Sequence, residues 1–71
     1  MKLEFVEAQL KKWGEIILRL DSGETLEIHL GDTTFDYDNR LLHFRGGDAL
    51  YYIDADKIES LKMHYSHIES E

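Results

Sequence analysis

Two short turns in the sequence predict two β-hairpins and decide which residues of each hairpin face each other. The first turn is Asp21-Ser22-Gly23, a three-residue loop that ends on a glycine able to adopt the positive φ that such loops need. A loop of this length fixes the register of the strands that flank it, and that register places four aliphatic side chains on one face. The predicted facing pairs are Leu18 with Leu26 and Ile16 with Ile28.

The opposite face of the first hairpin is predicted to be mostly polar. Successive side chains on a strand point to opposite sides, so the register that buries the aliphatic pairs sends the intervening residues outward. These residues are Glu15, Ile17, Arg19, Thr25, Glu27 and His29.

The second hairpin is predicted to turn at Gly47-Asp48, which fits a type II′ turn because that turn requires positive φ at its first central residue. The facing pairs on its inner face are Phe44 with Tyr51 and Leu42 with Ile53. Its outer face combines an aromatic residue with leucine and arginine, which is typical of the centre of a protein interface. We therefore predict an interface on this outer face, formed by Leu41, His43, Arg45, Leu50 and Tyr52.

The segment from Leu3 to Trp13 is predicted to be an α-helix. Acidic residues lie in its first half, Lys11-Lys12 lies near its end, and Gly14 is suited to terminate it. Its apolar residues recur at helical spacing. They are Leu3, Val6, Leu10 and Trp13.

The segment between the hairpins is predicted to form a turn at residues 31–34, a short strand that includes Phe35 and Tyr37, and a second turn at residues 38–40. The tail has two interpretations. Within residues 58–69, Leu61, Met63 and Tyr65 alternate as the residues of a strand would. The same segment carries an apolar stripe at helical spacing, on a helix that Asp54 could cap; the stripe consists of Ile58, Leu61, Tyr65 and Ile68. A short turn followed by a closing strand is common at the end of small barrels, which favours the strand.

Together these elements predict a single small domain, residues 1–71, of the mainly-β class. The expected architecture is an antiparallel meander curled into a partly open barrel of about five or six strands, with the N-terminal helix packed across one face or opening. An α+β two-layer fold, with helices at both ends of an antiparallel sheet, is the alternative. The predicted core consists of Val6, Leu10, Trp13, Ile16, Leu18, Leu26, Ile28, Phe44, Tyr51 and Ile53.

The size and charge of the chain limit its partners. A chain of 71 residues buries only about 60% of the surface that its unfolded form exposes, and it has no cysteine for a disulfide, so self-association is one way to bury more. A net charge of −7 repels phosphate backbones and the basic residues are scattered, so we expect no nucleic-acid binding. No apolar run reaches the ~18 residues of a membrane span, so we expect a cytoplasmic protein with no membrane partner.

The sequence does not indicate an enzyme, a cofactor site or a metal site. It has no nucleophile-elbow serine and no glycine-rich phosphate loop, and several aspartates lie near turns, where their carboxylates accept hydrogen bonds from the following backbone. A metal site would need several ligands to converge, and the spacing of the candidates does not imply that they do. Those candidates are His29, His43, His64, His67 and Asp54.

The run Phe44–Ile53 resembles the second Sm motif, in which an apolar residue, Arg-Gly and a polar residue lead into an apolar strand. The order of elements, with a helix before the first strand, is similar too. The resemblance implies that Arg45 and Gly46 hold an RNA base and that the chain assembles into a ring. The first Sm motif is not matched, because Asn39 follows Phe35-Asp36 one residue too early and lies only six positions before Arg45.

The function predicted from the sequence is that of a non-enzymatic interaction or assembly module that self-associates or binds another protein. Two alternatives stay open, an Sm-like nucleic-acid-binding barrel and a small domain that binds a small ligand or a metal. The acidity and the unmatched first motif argue against the former. The lack of a ligand constellation argues against the latter.

Overall fold

The computed structural model describes residues 1–64. Within them the chain forms a helix followed by six strands, which confirms the predicted mainly-β class with an N-terminal helix. None of the described helices is long and apolar enough to cross a membrane. The elements are α1 (Leu3–Trp13), β1 (Glu15–Leu20), β2 (Thr25–His29), β3 (Thr33–Asp36), β4 (Leu41–Gly46), β5 (Ala49–Asp54) and β6 (Ile58–Lys62).

The strands form two antiparallel three-stranded sheets. Their strand orders are β2-β1-β6 and β3-β4-β5. The first and last strands of the described chain, β1 and β6, are therefore neighbours in one sheet. Two 3₁₀ helices, Leu30–Asp32 and Ala55–Lys57, carry the chain from one sheet to the other. Within residues 1–64 no strand pairing joins the two sheets, so the strands do not close into a barrel.

The first hairpin has the predicted register. In its loop, Gly23 has the expected positive φ, at 95°, and donates its N–H to the carbonyl of Leu20 at 2.9 Å. The N–H of Leu20 in turn donates to the carbonyl of Glu24 at 2.8 Å, which closes a loop of the predicted length. The facing pairs are Leu18 with Leu26 and Ile16 with Ile28.

The second hairpin also has the predicted register. Gly47 has a φ of 63°, and Asp48 is not among the residues of 1–64 with positive φ, which is the combination that a type II′ turn requires. The rings of Phe44 and Tyr51 stack with their centroids 5.0 Å apart. The facing pairs are Phe44 with Tyr51 and Leu42 with Ile53.

The helix has the predicted bounds. Gly14 ends it with a φ of 85° and donates its N–H to the carbonyl of Leu10 at 2.8 Å. Trp13, predicted to be in the core, is only half-buried at the margin of the core, where its indole N–H donates to Gln9 at 3.1 Å. The buried face of the helix consists of Leu3, Val6 and Leu10.

The core collects side chains from the helix and from the inner faces of both sheets. Leu26 and Tyr51, predicted to be core, are only partly buried and pack against it. Ala55 in the second 3₁₀ helix and Ile58 at the start of β6 are also buried, at the point where the chain passes from one sheet to the other, and the sequence did not place them in the core. The buried residues are Leu3, Val6, Leu10, Ile16, Leu18, Ile28, Leu42, Phe44, Ile53, Ala55 and Ile58.

The turn predicted at residues 31–34 is wrong in its extent. The chain turns earlier, in the 3₁₀ helix Leu30–Asp32, and the hydroxyl of Thr33 donates to the carbonyl of His29 at 2.9 Å. Thr33 and Thr34 belong to β3 and pair with β4, because β-branched residues pack well on a pleated surface.

Tyr37, predicted to lie in a strand, lies instead in the turn that follows β3. Its hydroxyl donates a hydrogen bond to the carboxylate of Glu7, which ties this turn to the helix. The same hydrogen bond raises the pKa of Tyr37 to about 12.

Of the two interpretations of the tail, the strand is confirmed for Ile58–Lys62. Residues 65–69 of the predicted element lie outside the described residues. Asp54 caps the second 3₁₀ helix, where its carboxylate accepts the N–H of Asp56 at 2.9 Å.

Arg40 and Asp56 join the β3–β4 turn to the second 3₁₀ helix. The guanidinium of Arg40 donates to the carboxylate of Asp56 at 2.8 Å, and the carbonyl of Arg40 accepts the N–H of Ala55 at 3.0 Å. The guanidinium hydrogen bond and its positive charge lower the pKa of Asp56. The amino group of Met1 donates to the carbonyl of Ala55 at 2.9 Å, so the N-terminus meets the same point.

Replacing Gly23 by alanine should lower the free energy of unfolding by about 1–2 kcal/mol, because an L-residue is strained at positive φ. No atom lies within 4 Å of the position that a Cβ would take, so the cost isolates the backbone conformation. Gly31 is the matched control, since it has the same open space without positive φ. Gly31→Ala should leave stability unchanged or raise it slightly. Urea denaturation measures both variants, and equal effects would contradict the assigned loop geometry.

The carboxyl group of Asp56 should titrate below the usual range for aspartate, and Arg40→Gln should raise its pKa. Because the folded-state pKa is lowered, the contribution of this contact to stability is complete above the unfolded pKa and is lost as pH falls through the folded value. The ¹³C shift of the Asp56 side-chain carboxyl carbon, followed against pH, measures the effect. An identical titration in Arg40→Gln would show that the contact does not form in solution.

Candidate functional site

The outer face of the sheet β3-β4-β5 is the candidate functional site. Outward side chains alternate with core side chains along β4 and β5, so the five residues of the predicted interface all lie on this face. We call this set the second-hairpin face. It consists of Leu41, His43, Arg45, Leu50 and Tyr52.

Two apolar side chains on the second-hairpin face are strongly exposed. Tyr52 is 62% exposed and Leu50 is 55% exposed, and both point outward from β5. The other large apolar side chains exposed in residues 1–64 are dispersed over the helix, the first 3₁₀ helix and a turn; they are Phe5, Leu30 and Tyr37. The two most exposed of these five side chains therefore lie together on the second-hairpin face.

His43 and Tyr52 form the centre of the second-hairpin face. They lie opposite each other, with their ring centroids 5.0 Å apart and their planes tilted by 32°. A two-residue turn closes on a hydrogen-bonded pair, and the alternation along the ladder then makes His43 and Tyr52 a non-hydrogen-bonded pair. Side chains approach most closely at such pairs, so the register itself produces this ring contact.

Charged groups border the second-hairpin face at both ends. Arg45 lies opposite Leu50 near the turn. At the other end, Leu41 is flanked by Asp36 on β3 and by Asp54 on β5. An apolar centre with a charged border is the usual layout of a protein interface.

The strand β5 is an edge strand as well as part of this face. In residues 1–64 it pairs only with β4, and the ladder alternation directs the N–H and C=O groups of Leu50 and Tyr52 away from β4. Exposed edges are commonly protected by charged side chains, and Glu27 on β2 and Glu59 on β6 are charged. The fourth edge, β3, is only 4 residues long. By contrast, β5 carries no charged residue from Ala49 to Ile53.

Packing explains the glycine of the Arg-Gly pair. A Cβ on Gly46 would lie 3.2 Å from Cε1 of Tyr51, so a side chain there would require the Tyr51 ring to shift by a few tenths of an ångström. Arg45 is exposed. The contact with Tyr51 therefore favours glycine at this position without the RNA base that the Sm resemblance implies.

The sheet β2-β1-β6 carries a cluster that sequence spacing did not reveal. His29 Nε2 lies 3.2 Å from a carboxylate oxygen of Glu15 and 3.3 Å from one of Glu27. All three residues belong to the predicted outer face of the first hairpin, so the predicted register could have indicated that these three side chains lie close together. Of the other residues considered as ligands, His43 and Asp54 lie on the other sheet, His64 follows β6, and His67 lies outside the described residues.

The titratable groups of residues 1–64 are all at least partly accessible to solvent. General acid and base catalysis uses groups whose pKa is shifted toward neutrality. The shifts found here go the other way: hydrogen bonds from Asn39 lower the pKa of Asp36, and the hydrogen bond to Glu7 raises that of Tyr37. These shifts keep both groups in their ordinary charge states at neutral pH.

No family model matches this chain, and comparison with curated proteins and with solved structures found no significant match.

Proposed function

We propose that this protein is a non-enzymatic assembly module that self-associates through the second-hairpin face and the adjoining edge of β5. One observation carries the proposal: the most exposed large apolar side chains of residues 1–64, Tyr52 and Leu50, lie together on β5, which within these residues is an edge strand with no charged side chain from Ala49 to Ile53. A second copy of the chain is the partner that this surface suits, because an edge strand can pair antiparallel with its own copy about a two-fold axis.

The two-fold axis is placed at Tyr51, where β5 of one copy runs antiparallel to β5 of the other. This places Leu50 of each copy opposite Tyr52 of the other. The outward N–H and C=O groups of these residues then form the hydrogen bonds between the copies. Both side chains lie on the outer face in each copy, so the apolar pairs join into one strip across a six-stranded sheet.

The energetics favour a modest, reversible association. Covering apolar surface contributes about 25 cal/mol per Å², from which the cost of association is subtracted. Each copy carries a net charge of −7, and the proposed pairing also brings Asp54 of one copy near Asp48 of the other. Added salt screens these repulsions, so we expect it to strengthen self-association. Added salt would instead weaken the affinity for a nucleic acid, which distinguishes the two kinds of binding.

One further feature supports an assembly role over catalysis, and another bears on the compartment. The titratable groups of residues 1–64 are all at least partly exposed to solvent, whereas catalytic acids and bases commonly lie in desolvated clefts. The chain has no cysteine, which suits the reducing cytoplasm in which we place it. The proposed assembly requires no cofactor.

Static light scattering after size exclusion, at tens of micromolar protein, should report a mass above the 8.4 kDa of one chain. Tyr52→Glu should reduce the mass to that of one chain, because it places a charge opposite Leu50 of the other copy. It should leave the β-rich circular dichroism intact, because Tyr52 is exposed in the single chain. Phe5→Glu is the matched control, since it places the same charge on an aromatic position of the helix that is 51% exposed. That variant should keep the wild-type mass.

Hydrogen exchange separates edge pairing from other contacts. The amides of Leu50 and Tyr52 should exchange slowly in the wild-type assembly and rapidly in the Tyr52→Glu variant. A wild-type mass of 8.4 kDa at this concentration would refute self-association. A larger mass that Phe5→Glu abolishes and Tyr52→Glu does not would move the interface to the helix.

A further inference from the structure

We propose that Glu15, Glu27 and His29 form a binding site for a divalent transition-metal ion of the Zn²⁺ type, on the face of the protein that the proposed assembly leaves unused. This inference does not depend on self-association, because all three ligands come from one chain.

The register of the first hairpin assembles the three ligands. Glu15 on β1 lies opposite His29 on β2, and Glu27 precedes His29 by two residues on the same face of the same strand. The hydrogen bond from Leu20 to Glu24 fixes the ladder alternation, and it makes Glu15 and His29 a non-hydrogen-bonded pair. Their side chains are therefore held at the close spacing of such pairs.

The distances between the ligand atoms fit a metal ion. Bonds of about 2.0–2.1 Å in a tetrahedral site put neighbouring ligand atoms about 3.3 Å apart. His29 Nε2 lies 3.2 Å from the Glu15 oxygen and 3.3 Å from the Glu27 oxygen, and one ligand atom from each of the three residues lies within 4.8 Å of the others. An ion can therefore enter with small side-chain adjustments and little backbone movement.

The convergence of the three ligand atoms favours a divalent cation. The carboxylates of Glu15 and Glu27 both approach Nε2 of His29. A divalent ion bonds to all three ligand atoms together and offsets the two negative charges. Neutral imidazole with carboxylate oxygens suits Zn²⁺ and its neighbours, whereas Mg²⁺ prefers oxygen ligands alone.

The site is open to solvent on its outer side. The side chains of Glu15, Glu27 and His29 are 28%, 51% and 52% exposed. Three protein ligands leave a fourth position that water can fill, as in zinc sites that exchange ligands. The geometry therefore points to reversible binding of one ion per chain.

Titration of the untagged protein with Zn²⁺, followed by isothermal calorimetry and by the NMR signals of the histidine rings, tests the proposal. We expect one ion per chain and a shift confined to the His29 ring and the backbone around it. His29→Ala and Glu27→Gln should each weaken binding at least about tenfold, because loss of groups that only orient a ligand already costs that much. Mg²⁺ should produce no saturable shift.

His43→Ala is the matched control, since it removes a histidine from the other sheet and should leave the Zn²⁺ affinity unchanged. Tyr52→Glu should also bind one ion per chain, which keeps the outcome distinct from that of the assembly experiment. The proposal is overturned if Zn²⁺ does not bind saturably, or if its affinity is the same in His29→Ala. It is equally overturned if His43→Ala is the variant that abolishes binding.

Discussion

The number of residues in two hairpin loops is the constraint on which the rest of this structure depends. Side chains alternate along a strand, so the three-residue loop ending at Gly23 and the two-residue turn beginning at Gly47 decide which side chains enter the core. A shift of one residue in either hairpin would exchange the buried aliphatic set for the charged and aromatic set. In a chain of 71 residues with so small a core, that exchange would leave no stable fold.

The same two loops also set the geometry of the outer faces. Each places the outward residues at non-hydrogen-bonded pairs, where opposite side chains come closest. On one sheet this brings the rings of His43 and Tyr52 together, and on the other it brings His29 against Glu15. The proposed interface and the proposed metal site therefore have a common origin in hairpin register, although they lie on different sheets.

Local sequence signals predicted the parts of the fold that depend on local geometry. The helix bounds, both hairpin registers and the placement of Tyr52 follow from apolar spacing and turn length. The strand start at Thr33 and the burial of Ala55 and Ile58 were missed because they depend on where the 3₁₀ helices turn the chain between sheets. The cluster at His29 needed side-chain conformations that no residue spacing encodes, although the predicted register had placed its members on one face.

Measurement of the registers in solution tests this account most directly. In two-dimensional NOE spectra the Hα protons of non-hydrogen-bonded pairs lie close together, so the account predicts strong Hα–Hα contacts between Ile17 and Glu27 and between His43 and Tyr52. Hα–Hα contacts displaced by one residue on either strand, such as His43 with Tyr51, would contradict it. Such a result would remove the basis for the core, for the second-hairpin face and for the convergence of ligands on His29.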